Sequence, residues 1–265
     1  MLKNLANTAR FCWALLRTSL KAVTALRGSF LLSMTFMALN NATFFVFWWV
    51  LLGRVGTLRG WYMADVQLLF GISAAGFGLM QATLGGAVHL STLIDEGGLD
   101  PLLCQPKPTL LYALGCRSQA SAFGDLFSGV GFMLLSGYLS WHSAARALLC
   151  VLVSFLAYTA ICISFFSLAF GAKKTHSLSR QLLDILITFS LYPEPLFGGP
   201  LRLVLFTLLP AGFVSYLPAR VVKSASTSDL LCLMAGTAFY LWLAVRIFQA
   251  GLRRYASGSR FGVFG

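Results

Sequence analysis

The chain has 265 residues, 58% of them hydrophobic and only 11% charged, and its mean hydropathy is +0.79. Soluble domains carry about a quarter charged residues, so this composition excludes a water-covered globule, and it is equally far from the low-hydrophobicity, high-charge signature of disorder. The class that remains is all-α integral membrane. The net charge of +12, from 20 basic and 8 acidic residues, would suggest nucleic acid in a soluble protein; here its placement at the flanks of apolar runs argues for the membrane surface and against a nucleic-acid partner.

Residues 1–28 read as an amphipathic interfacial helix. At 100° per residue Lys3, Arg10, Arg17 and Lys21 form one narrow stripe. Leu5, Ala9, Cys12, Trp13, Leu16, Leu20 and Val23 fall broadly opposite, an arrangement suited to lying against anionic headgroups. Gly28 is the expected stop before the first span. Residues 29–250 read as the transmembrane domain and 251–265 as a basic cytosolic tail.

A hydrocarbon core of about 30 Å takes roughly 20 apolar residues per helix. On that count the spans are Ser29–Leu52, Val66–Leu93, Gln119–Leu139, Ala144–Phe170, a broken region Gln181–Leu217, and Asp229–Ala250. The broken region contains Pro193, Pro195, Pro200 and Pro210, with Pro218 just beyond, and its stretch Leu203–Leu217 is short for a crossing. With six spans and a re-entrant hairpin between spans five and six, fourteen basic residues fall on the inner side against six outside; with seven spans the split is twelve against eight. The positive-inside rule therefore favours six spans with both termini cytosolic. Irregular backbone at membrane depth must be covered by protein or line a cavity.

Polar groups inside the spans are few. Asn40, Asn41, Gln81 and Thr83 are the candidate pathway-lining residues, although such amides also join helices. Gly71, Ala74, Ala75 and Gly78 give the second span small-residue spacings for close helix approach. Asp65, Asp95, Glu96, Asp100 and Glu194 fall in loops or at their edges, and Asp229 at an outer helix end. Asp125 and Asp184 fall within the first two turns of their spans and read as capping or interhelical hydrogen-bonding groups near the interface. The midplanes then look uncharged, which disfavours ion coupling. Trp48, Trp49, Trp61 and Tyr62 read as an outer interfacial belt.

Catalytic and metal signatures are missing from the sequence. Gly171-Ala172-Lys173-Lys174-Thr175 puts lysine where a phosphate loop needs glycine, so no catalytic ATP site is expected in this chain. Cys12, Cys104, Cys116, Cys150, Cys162 and Cys232 form no CxxC pair, and His89, His142 and His176 are scattered; no metal or cofactor site is expected.

The loop after the second span is the most informative segment. It runs Ile94-Asp95-Glu96-Gly97-Gly98-Leu99-Asp100-Pro101-Leu102-Leu103-Cys104-Gln105-Pro106. It holds three of the eight acids, alternating with apolar residues, and Asp100-Pro101 looks like a helix start. A short cytosolic helix with an apolar face needs a partner. This pattern after a glycine-rich second span, together with Tyr192-Pro193, Pro210, Phe213, Tyr216 and Pro218, resembles the bacterial ABC-2 type permeases over about residues 30–253. The resemblance implies a bacterial inner-membrane subunit with a cytosolic coupling helix between spans two and three and an outer re-entrant hairpin carrying Pro193, Pro210, Phe213, Tyr216 and Pro218. It implies a second permease subunit, identical or related, and separate ABC ATPase subunits that hold ATP and Mg. It also implies ATPase coupling through Asp95, Glu96, Gly97, Leu99, Asp100, Leu102, Leu103 and Pro106, with Leu99, Leu102 and Leu103 as packing anchors. The expected activity is export of a lipophilic or amphipathic substrate, with a lipid-linked glycan or polysaccharide as another cargo; the competing classes are a non-ABC carrier or channel and a membrane enzyme.

Overall fold

A computed structural model describes residues 2–172 and 174–255, with side chains from Asn7 onward. The side chains of Lys3 and Leu5 in the basic helix, together with Lys173 and residues 256–265 of the tail, Arg260 among them, lie outside this description. The described residues are helical almost throughout, and apart from an isolated bridge between Leu58 and Trp61 no β-pairing occurs among them.

In chain order the helices are α1 (Leu2–Thr24), α2 (Arg27–Val55), α3 (Met63–Leu84), α4 (Leu90–Asp95), α5 (Asp100–Leu103) and α6 (Thr109–Gly115). They continue with α7 (Ser121–Leu135), α8 (Trp141–Phe166), α9 (His176–Ser190), α10 (Pro200–Thr207), α11 (Leu217–Ser224) and α12 (Thr227–Arg254). A 3₁₀ stretch joins α3 to α4, and a π-helical turn, Gly212–Tyr216, leads into α11. Among the described residues four helical runs are long and apolar enough to cross a membrane: Arg27–Val55, Met63–Asp95, Trp141–Phe170 and Thr227–Arg254. A fifth is obtained by counting as one span the pair Pro200–Thr207 and Gly212–Ser224, which is bent by 76°. The chain is thus a multi-pass α-helical membrane protein. The first helix break falls at Ala25–Leu26, and Gly28 lies inside α2, not before it as the sequence suggested. Glycine is tolerated inside a helix at a modest entropic cost, so it does not by itself force a stop.

The small residues of α3 act as the sequence predicts. A methyl on Gly78 would lie 2.7 Å from the Ala122 carbonyl oxygen, and one on Gly129 would lie 2.5 Å from the Ala75 nitrogen. Backbones of α3 and α7 therefore approach so closely that only hydrogen fits between them. On another face of α3, Gly76 makes the same allowance for Ser154 of α8. The run Met63–Asp95 is consequently buried over most of its length, whereas α2 is exposed along most of its own.

The ends of the bundle are fixed by polar contacts between antiparallel elements. At one end Ser118 Oγ donates to the Ala82 carbonyl (2.7 Å) and Ser91 Oγ bonds His176 Nδ1 (2.8 Å). At the other, Asp65 receives Tyr138 and Lys223. Asp65 and Glu194, expected at loop edges, are in fact buried; Glu194 Oε1 pairs with Arg202 at 2.7 Å. Trp48 is only 1% exposed, packed edge-on against Phe44, Phe47 and Tyr192, so it does not belong to an interfacial belt. Its neighbour Trp49 lies 100° round the helix and is exposed, as is Tyr62.

Candidate functional site: a polar cavity and a proline-broken hairpin

Side chains from α2, α3, α7, α8 and α9 line a partly open cavity of about 300 Å³. Asn40 and Asn41 line it from α2, Ser73 and Gln81 from α3, Asp125 from α7, Tyr158 from α8, and Arg180 and Asp184 from α9, with Phe70 and Phe77 between them. Three of the four predicted pathway residues are thereby brought together. Thr83 is not among the lining residues; its hydroxyl bonds back to the Leu79 carbonyl of its own helix (2.7 Å).

Asn41 joins helices and also lines the cavity. Its Nδ2 donates to Asp125 Oδ1 (2.8 Å) and to Ser128 Oγ (2.7 Å), tying α2 to α7. Asp125 does lie in the first two turns of α7, but it sits beside Asn41 at the centre of α2 and is only 3% exposed. The start of α7 does lie near the start of α2, where Phe123 packs on Phe30, but the Asp125 side chain reaches inward to Asn41. The bundle centre therefore carries an acid. Asp184 is exposed and paired with Arg180 at 3.3 Å. Tyr158 bonds Ser73 (2.6 Å) and Ser190 (3.1 Å), a cluster that no local motif announces.

The predicted hairpin residues come together at one side of the bundle. Pro193, Pro210, Phe213, Tyr216 and Pro218 are all buried. In an α-helix the N–H of residue 218 would bond the Val214 carbonyl; proline has none, and the Ser154 hydroxyl of α8 donates there (2.7 Å). The same substitution occurs at Pro210, where the Phe206 carbonyl accepts from Tyr240 of α12 (3.0 Å). The carbonyl four residues before Pro193 is that of Phe189, which accepts the Tyr216 hydroxyl (2.5 Å). At Pro193, Pro210 and Pro218 the carbonyl four residues back thus meets a hydroxyl from another element, which helps to allow broken helices at membrane depth.

The segment expected to couple to a partner forms two short helices with a turn between them, Gly97 adopting φ +74°. Leu99 and Leu102 are buried in the chain's own core, at 0% and 6% exposure, so two of the three expected anchors face inward. The alternation that looked like an unpartnered apolar face is satisfied mostly within the chain. Leu103, Glu96 and Pro106 are exposed, and the Asp95 carboxylate accepts the Lys174 N–H (3.2 Å). Helix α1 packs on the same region: Ser19 Oγ donates to the Gly115 carbonyl (2.8 Å), and Phe11 stacks on Tyr112. Arg10, Arg17 and Lys21 are exposed, and so is Trp13 on the opposite face.

None of the curated proteins and none of the solved structures compared is significantly similar to this chain. A family model described as ABC-2 family transporter protein matches residues 38–259, which takes in all but one of the cavity-lining residues, the α4–α5 segment and the bent pair α10–α11. The chain belongs to the ABC-2 transporter family.

Proposed function

We propose that this chain is the membrane subunit of an ATP-driven exporter, with ATP and Mg bound by separate ABC ATPase subunits and the pathway completed by a second permease, identical or related. The observation that carries the reading is a polar cavity, walled by apolar helices, in a chain of this family. The bent pair α10–α11 supports the six-span arrangement, because both of its far ends meet the same end of the bundle. Arg59 donates to the Pro195 carbonyl (2.6 Å) ahead of α10, and Lys223 reaches Asp65 at the end of α11. With that end outside, both termini, the α1 basic face and the α4–α6 segment lie on the cytosolic side of a bacterial inner membrane. Leu103, Glu96 and Pro106 then form the surface offered to the ATPase. The cargo is lipophilic or amphipathic, in keeping with Phe70, Phe77 and Tyr158 in the cavity wall.

The test is reconstitution. The chain co-purified with its ATPase should drive ATP-dependent accumulation of an amphipathic dye into inverted vesicles, and neither component should do so alone. Uphill transport or nucleotide cleavage by the purified chain without any companion overturns the proposal.

A further inference from the structure

Two residues that line the cavity each carry a buried acceptor atom with nothing to accept. Asp125 Oδ1 takes the Asn41 amide, but Oδ2 has no hydrogen-bond partner, and neither does Gln81 Oε1. Both residues are more than nine-tenths buried, and both line the cavity. The other charged residues in its wall, Arg180 and Asp184, are exposed and pair with each other at 3.3 Å. One carboxylate is therefore left without a countercharge beside an aromatic wall of Phe70, Phe77 and Tyr158. An ionised acid in such a place is costly unless paired, and the complement of two bare acceptors and an aromatic wall is a donor that is also a cation.

We propose that the cavity is a binding site for the protonated amine of a small amphipathic cation, held by Asp125 Oδ2 and Gln81 Oε1 with its apolar body against Phe70 and Phe77. Asn41 is the positioning residue: its amide holds one carboxylate oxygen and leaves the other without a partner. This rests on the permease reading and names its substrate class. The Tyr158 hydroxyl is already engaged by Ser73 and Ser190, so it supplies an aromatic face rather than the ammonium contact.

The experiment uses the full chain in lipid nanodiscs without ATPase, titrated with 4-phenylbutylamine, its neutral counterpart 4-phenylbutanol and the anion 5-phenylpentanoate. The amine should bind wild type about ten- to a hundredfold more tightly than the alcohol, and the anion more weakly still. Asp125→Asn should erase that preference, whereas Asp229→Asn, at a carboxylate that does not line the cavity, should retain it. Equal binding of amine and alcohol to wild type overturns the proposal, whatever the folding of the variants, and so does an amine preference that survives in Asp125→Asn. Because no ATPase is present, loss of amine selectivity removes this site and leaves the permease reading standing. Failure to find ATP-coupled transport removes the permease reading without touching the binding result.

Discussion

Lys223 Nζ stands 2.7 Å from Asp65 Oδ1, joining the end of α11 to the start of α3. The same carboxylate receives the Tyr138 hydroxyl (2.6 Å) through Oδ1, and its Oδ2 accepts the Tyr62 N–H (2.9 Å). Asp65 is 3% exposed, but about half of the Lys223 side chain is in solvent. The two partners should therefore differ when removed. Lys223→Met leaves a buried carboxylate without its cation, whereas Asp65→Asn leaves a lysine free to hydrate. Lys223→Met should cost about 1–2 kcal/mol, below the full value of a buried pair because of its exposure, and Asp65→Asn less. Thermal unfolding in detergent reads both, and the reverse order would refute the argument.

Ser154 and Pro218 form a second testable pair. Ser154→Ala removes the donor to Val214 and should cost about 1–2 kcal/mol. Pro218→Ala restores a backbone N–H to the region. The cost of Ser154→Ala should therefore be smaller in a Pro218→Ala background, and a double-mutant cycle with no coupling would show that the hydroxyl is not a substitute for the missing bond.

Two glycines of α7 separate packing from helix propensity. Gly129→Ala places a methyl 2.5 Å from the Ala75 nitrogen, and should cost about 1–3 kcal/mol by forcing α3 and α7 apart. Gly131 has nothing within 4 Å of the same methyl, so Gly131→Ala should stabilise by about 0.5–1 kcal/mol through backbone entropy. Equal shifts in melting temperature for the two would contradict the close approach.

The leucines of the coupling segment divide in the same manner. Leu103→Asp, at an exposed position, should leave expression and melting temperature unchanged while ATP turnover becomes unresponsive to substrate. Leu99→Asp buries a charge at a fully covered position and should reduce the folded yield itself. A Leu103→Asp complex with normal substrate-stimulated turnover would remove this residue from the ATPase surface.

Much of this architecture is legible residue by residue. Apolar runs separated by basic flanks mark the helices, because lipid demands a minimum length of uncharged chain. The proline cluster around Pro193–Pro218 marks the break, and the α3 small-residue spacings mark a close crossing, each through the local chemistry of one backbone. Asn40, Asn41 and Gln81 stand out as amides in oil and do meet at one cavity. Leu99 and Leu102 misled, since an apolar residue beside acids looks the same whether it faces a partner or its own core.

Composition and hydropathy by themselves determined the membrane class, the approximate helix limits and the positions where helices break, since these depend on the solvent and on neighbours along the chain. Tertiary structure alone decided that Asp125 lies at mid-bundle beside Asn41, that Lys223 finds Asp65, and that Ser154, Tyr216 and Tyr240 cap the carbonyls the prolines leave open. Depth and partnership depend on how helices of unequal length are set against one another, and no interval along a single strand of residues records that offset.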